Sequence, residues 1–144
     1  MIISDWWYAI KVCRKYGIRW NPFFKMTHAQ INFSYWDFGK GTKTTISINP
    51  FYEKFLDSFL HEVGHYICWR KALSESEEKF KQFIGNTLLN EYKAWQFSKL
   101  VLKHRFDKPR ARSMFKTYFP VQAKAVGCVQ AADDYYKFDR RIEK

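Results

Sequence analysis

Between residues 52 and 69 the chain places an apolar side chain at every third or fourth position: Phe55, Leu56, Phe59, Leu60, Val63, Tyr66 and Ile67. That spacing covers one face of an α-helix, so a buried helix is predicted from about Tyr52 to Trp69. Trp6, Ile10, Cys13 and Ile18 repeat the spacing more loosely and predict a first helix over Asp5 to Tyr16, with Asn21-Pro22 as a break after it. A different rhythm lies between. Gln30 to Asp37 alternates, with Ile31, Phe33 and Tyr35 on one side and Asn32 and Ser34 on the other; Thr44 to Asn49 alternates again through Ile46 and Ile48. With Gly39-Lys40-Gly41 as the turn, the two runs predict a β-hairpin that ends at Pro50. Ser74 and Glu77 read as a capping box that opens a further helix towards Phe106, bent or split at Gly85-Asn86 and stopped by Asp107-Lys108-Pro109. Ala111 to Tyr118 and Val121 to Arg141, parted by Pro120, are the last helical stretches. The predicted class is α+β, helix-rich with a small sheet.

Composition narrows the setting. A chain of 144 residues suits a single domain, 1–144, and its 47% hydrophobic and 20% aromatic content can bury a core. No apolar run approaches the roughly 18 residues needed to cross a bilayer. Met1 to Tyr16 lacks the order of basic, apolar and small residues that marks a signal peptide. Cys13, Cys68 and Cys128 are too few and too scattered for a disulfide framework. The expected location is the cytoplasm, with no membrane partner. Charge adds one point: 25 Lys plus Arg against 14 Asp plus Glu leave +11, which favours contact with nucleic acid or an acidic protein.

The sharpest chemical signal is His61-Glu62-Val63-Gly64-His65, an HExxH sequence inside the predicted helix. Histidines four residues apart stand one above the other on a helix, so both imidazoles can reach one ion. Zinc suits them, because it takes nitrogen and carboxylate ligands in a tetrahedron and three protein ligands leave a fourth position for water. Glu62, between the histidines, is then placed to act as general base.

A third ligand is required. On the helix after Ser74, Phe80, Ile84, Leu88, Trp95 and Leu102 form an apolar stripe, and Glu91 falls near its middle. A carboxylate buried there needs a cation or strong donors facing it. Zinc on the neighbouring helix supplies that; a Lys, Arg or Tyr partner is the alternative. His104 lies on the opposite side of the same helix, about 20 Å further along at 1.5 Å per residue, and is rejected as a partner to the same ion. His28, in the loop before the hairpin, stays a rival.

Ile46-Ser47-Ile48-Asn49, followed after a spacer by Phe59-Leu60-His61-Glu62-Val63-Gly64-His65, resembles the strand and active-site helix of ImmA/IrrE-type zinc peptidases. Glu91, Ala94, Phe97 and Ser98 match that family's E-x-x-A-x-x-F-A pattern, with Ser98 at the final small position. The resemblance covers roughly Thr44 to Leu102. It implies a small zincin-like domain, zinc on His61, His65 and Glu91, Glu62 as general base, and a protein substrate. Members are often phage or mobile-element proteins that act against regulatory proteins. The basic segment after Phe97 lies outside the pattern.

Further residues carry weaker expectations. In zincins an extended substrate pairs with a sheet edge beside the metal, a role that would fall to Thr44–Asn49. Tyr66, Tyr92 and His28 are candidate donors to a developing oxyanion. Cys68, one turn after His65, is either near the metal or a small core residue. Lys99, Lys103, Arg105, Lys108, Arg110, Arg112 and Lys116, with Phe106, Phe115 and Tyr118 interleaved, can engage nucleic acid or form a solvated helix face. The competing class is therefore a non-enzymatic nucleic-acid- or protein-binding module on a zincin scaffold.

Overall fold

The computed structural model describes residues 2–22, 30–32 and 44–144, and in these the chain is mostly helical with one small sheet. Helix α1 (Ile2–Tyr16) ends where Gly17 turns to φ +69, a conformation that suits glycine, and the Ile18 N–H closes on the Cys13 carbonyl at 2.9 Å. Strand β1 (Arg19–Pro22) follows, in the stretch where the sequence predicted a break. Pro22 lacks an N–H to give to a ladder, but β1 is an edge strand and tolerates it.

Strand β2 (Gln30–Asn32) pairs antiparallel with β3 (Thr45–Ile48), Gln30 opposite Ser47 and Asn32 opposite Thr45. This is the pairing expected of the hairpin; its Gly39-Lys40-Gly41 turn and the rest of its first strand lie outside the described residues. Strand β1 pairs parallel with the other side of β3, Arg19 opposite Thr45 and Pro22 opposite Ile48, so the order is β1-β3-β2. That order corrects the expectation of a substrate-binding edge at 44–49. Both sides of β3 are taken by neighbours, and Ile46 and Ile48 are fully buried in the core shared with Phe59, Leu60 and Val63.

Those core residues belong to helix α2 (Phe55–Glu75), which runs past the predicted Trp69. The predicted capping box at Ser74 does not form: the Ser74 hydroxyl donates back to the Lys71 carbonyl at 2.7 Å. Ser76 is the cap instead, its Oγ accepting from the Lys79 N–H at 3.0 Å to open α3 (Glu77–Ile84). At Gly85-Asn86 the chain splits outright. Asn86 Oδ1 accepts from the Leu89 N–H at 3.1 Å and starts α4 (Thr87–Leu102). The split turns Ile84 to solvent, while Phe80, Leu88, Trp95 and Leu102 stay in the interior.

The predicted stop at 107–109 doubles as a start. After a single 3-10 turn (Lys103–Arg105), Asp107 Oδ1 accepts from the Arg110 N–H at 3.1 Å and caps α5 (Lys108–Lys116). One predicted helix over 121–141 is two, α6 (Phe119–Val126) and α7 (Cys128–Glu143), because Gly127 adopts φ +93 between them. Arg112 ties α5 to α7 through a two-pronged pair with Asp139, at 3.0 and 2.9 Å. Among the described residues no helix is long and apolar enough to cross a membrane.

Helices α2 and α4 run antiparallel and touch almost backbone to backbone. A Cβ added at Gly64 would meet the Ala94 carbonyl oxygen at 2.8 Å and its Cα at 2.9 Å. Further along, the buried Ser98 hydroxyl donates to the Asp57 carbonyl at 3.1 Å. Gly64, Ala94 and Ser98 are thus the small residues that set the interhelical distance. Gly64→Ala should push the helices apart and destabilise the fold by about 1–3 kcal/mol, read as a lower denaturant midpoint at unchanged slope. A wild-type midpoint would show that this contact does not govern the packing.

Candidate metal centre

The sequence of α2 brings His61 and His65 to one side of the helix, and the antiparallel crossing puts Glu91 of α4 opposite them. All three are buried. His61 Nε2 lies 2.8 Å from Glu91 Oε2, His65 Nε2 lies 3.2 Å from Glu91 Oε1, and the two Nε2 atoms are 3.1 Å apart. Among the described residues these three form a buried group able to hold a metal ion. His104 is not in it: it is exposed on the turn after α4. His28 lies outside the described residues. Cys68 lines a separate cleft with Lys71 and Lys93, its thiol raised by burial.

Hydrogen-bond accounting tests whether a cation fits. Trp69 Nε1–H can only donate, and it donates to Asn90 Oδ1 at 3.1 Å. That marks Oδ1 as an acceptor, so the His65 Nδ1 at 2.8 Å from it carries a proton. In the neutral ring, His65 Nε2 is then a bare lone pair facing His61 Nε2 and a carboxylate. Glu91 Oε2, despite its 2.8 Å approach to His61 Nε2, has no N–H directed at it, and it counts among the buried atoms without a hydrogen-bond partner. Converging buried lone pairs repel unless a proton or a cation sits among them. A tetrahedral ion with ligands at about 2.0–2.2 Å spaces ligand atoms about 3.3–3.6 Å apart, so separations of 2.8–3.2 Å need only a few tenths of an ångström of adjustment.

The titration behaviour follows from the same crowding. Burial pulls His61 down to about 4, against the pull of Glu91. Burial works the same way on His65, but its hydrogen bonds to Glu91 and Asn90 and the nearby carboxylates raise it overall. Burial opposes ionisation of Glu91, yet the two histidines bring it down to about 2. A proton on His65 and a dication would thus compete for the same position among the three groups.

Glu62 is not part of the group, but it lines the same cavity of about 260 Å³ as His61 and Glu91. Burial first, then the Glu91 charge, push its carboxyl up to about 7. The far wall comes from Tyr52, Ser58, Arg110, Met114 and Tyr118. The phenol of Tyr118 is pushed well above its ordinary range by burial and by the Glu91 and Glu62 carboxylates, so it remains an O–H donor. Tyr66 and Tyr92 are not there: Tyr66 donates to the Tyr16 carbonyl at 2.9 Å, and Tyr92 stacks on Phe138. Asn90, Arg110 and Tyr118 are the residues that sequence reading missed. Asn90 carries only its position beside Glu91 as a signal, and the other two reach the site through a tertiary turn of the chain.

The basic segment is dispersed. Arg110 lines this cavity, Arg112 is bound to Asp139, Arg105 reaches Asp5 at 3.4 Å, and Lys99 donates to the Ile142 carbonyl at 3.0 Å. No protein-family model, curated protein or solved structure matches the chain.

Removing His61, His65 or Glu91 as alanine variants should abolish tight metal binding, whereas His104→Ala should leave it intact. Asn90→Leu should keep all three ligands but lower metal affinity about 10–100-fold, because the His65 ring loses the acceptor that sets its tautomer. Competition with a chromophoric chelator measures each variant. Full affinity in Asn90→Leu would remove Asn90 from the design of the site.

Proposed function

We propose that the chain is a zinc-dependent hydrolase of zincin type, akin to ImmA/IrrE-type peptidases, that cleaves a peptide bond in a protein substrate. The observation that carries this reading is the placement of Glu62: a half-buried carboxyl lining the same cavity as His61 and Glu91, two members of a buried His-His-Glu group able to hold a metal ion. Two histidines and one carboxylate also suit Fe(II). A proton-transfer group beside them favours hydrolysis, and the HExxH spacing favours zinc.

Zinc held there would polarise the scissile carbonyl and acidify water. The remaining work falls to side chains. Glu62 takes a proton from the attacking water as its oxygen bonds to the carbonyl carbon. It then delivers that proton to the amide nitrogen as the C–N bond breaks, leaving a carboxylate and an amine. Tyr118 faces the cavity with an O–H suited to a developing oxyanion, the role the sequence assigned to other residues. Trp95 and Met114 supply apolar wall that limits water.

One observation favours the binding-module alternative, acting alone or together with hydrolysis. A cleft of about 1000 Å³ on another face of α4 is lined by Lys99, Lys103, His104, Lys108, Arg141 and Lys144, with no Asp or Glu side chain. Burial and the nearness of Lys108 hold the Lys99 ammonium below its usual pKa, as expected where cations crowd.

Glu62→Gln should retain a full complement of zinc while hydrolysis of a proteome-derived peptide library falls by several orders of magnitude. Cleavage at the wild-type rate in that variant would refute the hydrolase mechanism. For the basic cleft, neutralising Lys99, Lys103 and Lys108 should weaken binding to single-stranded DNA or RNA and flatten its dependence on salt. No binding by the wild type at low salt would leave the cleft a solvated surface.

A further inference from the structure

Among the described residues, Arg110 is the cation on the wall of the cavity that holds His61, Glu62 and Glu91, and no side-chain ion pair there neutralises it. It sits in the first turn of α5, where the helix dipole disfavours a cation and the N–H groups are already capped by Asp107. Its guanidinium is fixed from several sides. Nη2 donates to Ser58 Oγ at 2.9 Å and to Tyr52 Oη at 3.1 Å, and the group lies over the Trp95 and Tyr52 rings at 5.8 Å from each centroid. Nη1 is buried and has no partner. Asp57 and Asp107 lie within reach of its field, but Asp107 pairs with Lys54 at 3.2 Å, and among the described residues neither forms a direct ion pair with Arg110. A charge held this rigidly, with a buried donor left over, is costly unless an anion completes it.

A cavity of about 260 Å³ is smaller than the roughly 300–1,000 Å³ typical of drug-sized ligand sites, so it admits a side chain or a chain end. The planar fork of a guanidinium matches a carboxylate, with two parallel N–H donors.

We propose that Arg110 receives a carboxylate of the substrate, making this a site for acidic peptides. The proposal deepens the hydrolase reading and rests on it for the word substrate. Two sources share the chemistry: an Asp or Glu side chain beside the scissile bond, or the free C-terminus of a peptide.

Three probes separate them: N-acetyl-glutamate diamide with only a side-chain carboxylate, N-acetyl-glutamine with only a terminal carboxylate, and N-acetyl-glutamine amide with none. Binding is measured by NMR titration on the full chain, metal-free and zinc-loaded, with metal content determined independently. In the wild type at least one carboxylate probe should bind about tenfold or more tighter than the neutral probe, in both metal states. The tighter of the two identifies the source. Arg110→Met should abolish that preference, and Arg110→Lys should keep a charge but lose the fork and most of the gain, with zinc content unchanged in both. Should Arg110→Met fail to fold, the wild-type comparison and Arg110→Lys still decide.

Turnover gives an independent reading. Arg110→Lys should raise KM for acidic substrates and leave kcat close to wild type, whereas a general transition-state role would lower kcat for every substrate. Equal binding of charged and neutral probes by the wild type overturns the proposal, as does an undiminished preference in Arg110→Met. A preference that survives in a protein without any hydrolysis would sink the hydrolase reading and leave the carboxylate pocket standing.

Discussion

Two helices can meet backbone to backbone only where one of them carries no side chain, and in this fold that position is Gly64. With an added Cβ only 2.8 Å from the Ala94 carbonyl oxygen, even a methyl group would open the α2–α4 interface. The rest of the site depends on this closeness. His61 and His65 flank Gly64 on α2, and Glu91 lies one turn from Ala94 on α4, so the interhelical distance is also the distance between the ligands. Packing density and ligand geometry are therefore a single constraint. This gives the small residue in the middle of the HExxH motif and the one in the E-x-x-A pattern a common physical reason.

The group thus formed calls for a proton or a cation among its acceptors. Two imidazoles and a carboxylate, all buried, point their acceptor atoms at one another within 3.2 Å. Trp69 fixes Asn90, Asn90 fixes His65, and that chain of donors leaves the His65 Nε2 lone pair no choice but to face the cluster. Fold stability and metal affinity are opposed here, as expected where a site is held ready for a ligand that only the folded chain can bind.

The parts of this arrangement that the sequence disclosed are the ones governed by local periodicity. A histidine pair four residues apart and a glutamate in the middle of an apolar stripe are readable because helix geometry converts spacing into direction. The stripe crosses Gly85-Asn86, where the sequence signals a bend or split and the chain does split; Glu91 keeps its buried place because it shares α4 with Leu88 and Trp95, while Ile84, before the split, turns to solvent. Strand β1 was hidden by Asn21-Pro22, since an edge strand needs no N–H from its proline and leaves no hydrophobic alternation. The misplaced cap at Ser74 shows that two serines two residues apart compete, and that only the backbone direction at Ser76 settles which hydroxyl accepts. Arg110 and Tyr118 stood out in the sequence only as members of a basic, aromatic-interleaved segment, and their place on the cavity wall could not be read. Arg110 reaches it because α5 folds back to Tyr52 and Ser58, a contact between residues up to 58 positions apart that no window along the chain contains.

That return of α5 also decides the electrostatic character of the cavity. Without it, the charged and metal-ligating groups on the wall would be His61, Glu62 and Glu91, and the pocket would suit a metal and little else. Arg110 adds a fixed positive charge on a wall otherwise made by Tyr52, Ser58, Met114 and Tyr118, none of which can neutralise it. A dication among the three groups would be balanced by Glu91 and, when ionised, by Glu62, which leaves the guanidinium without a carboxylate of its own on the cavity wall. In a low-dielectric pocket such a charge discriminates strongly between an acidic group and its neutral isostere. The chain as a whole carries +11, so its long-range field favours approach of the same class of molecule that the pocket is built to hold. On the proposed hydrolase reading, the HExxH motif would specify which bond chemistry is available, and the charge on α5 would limit which chains can present a bond to it.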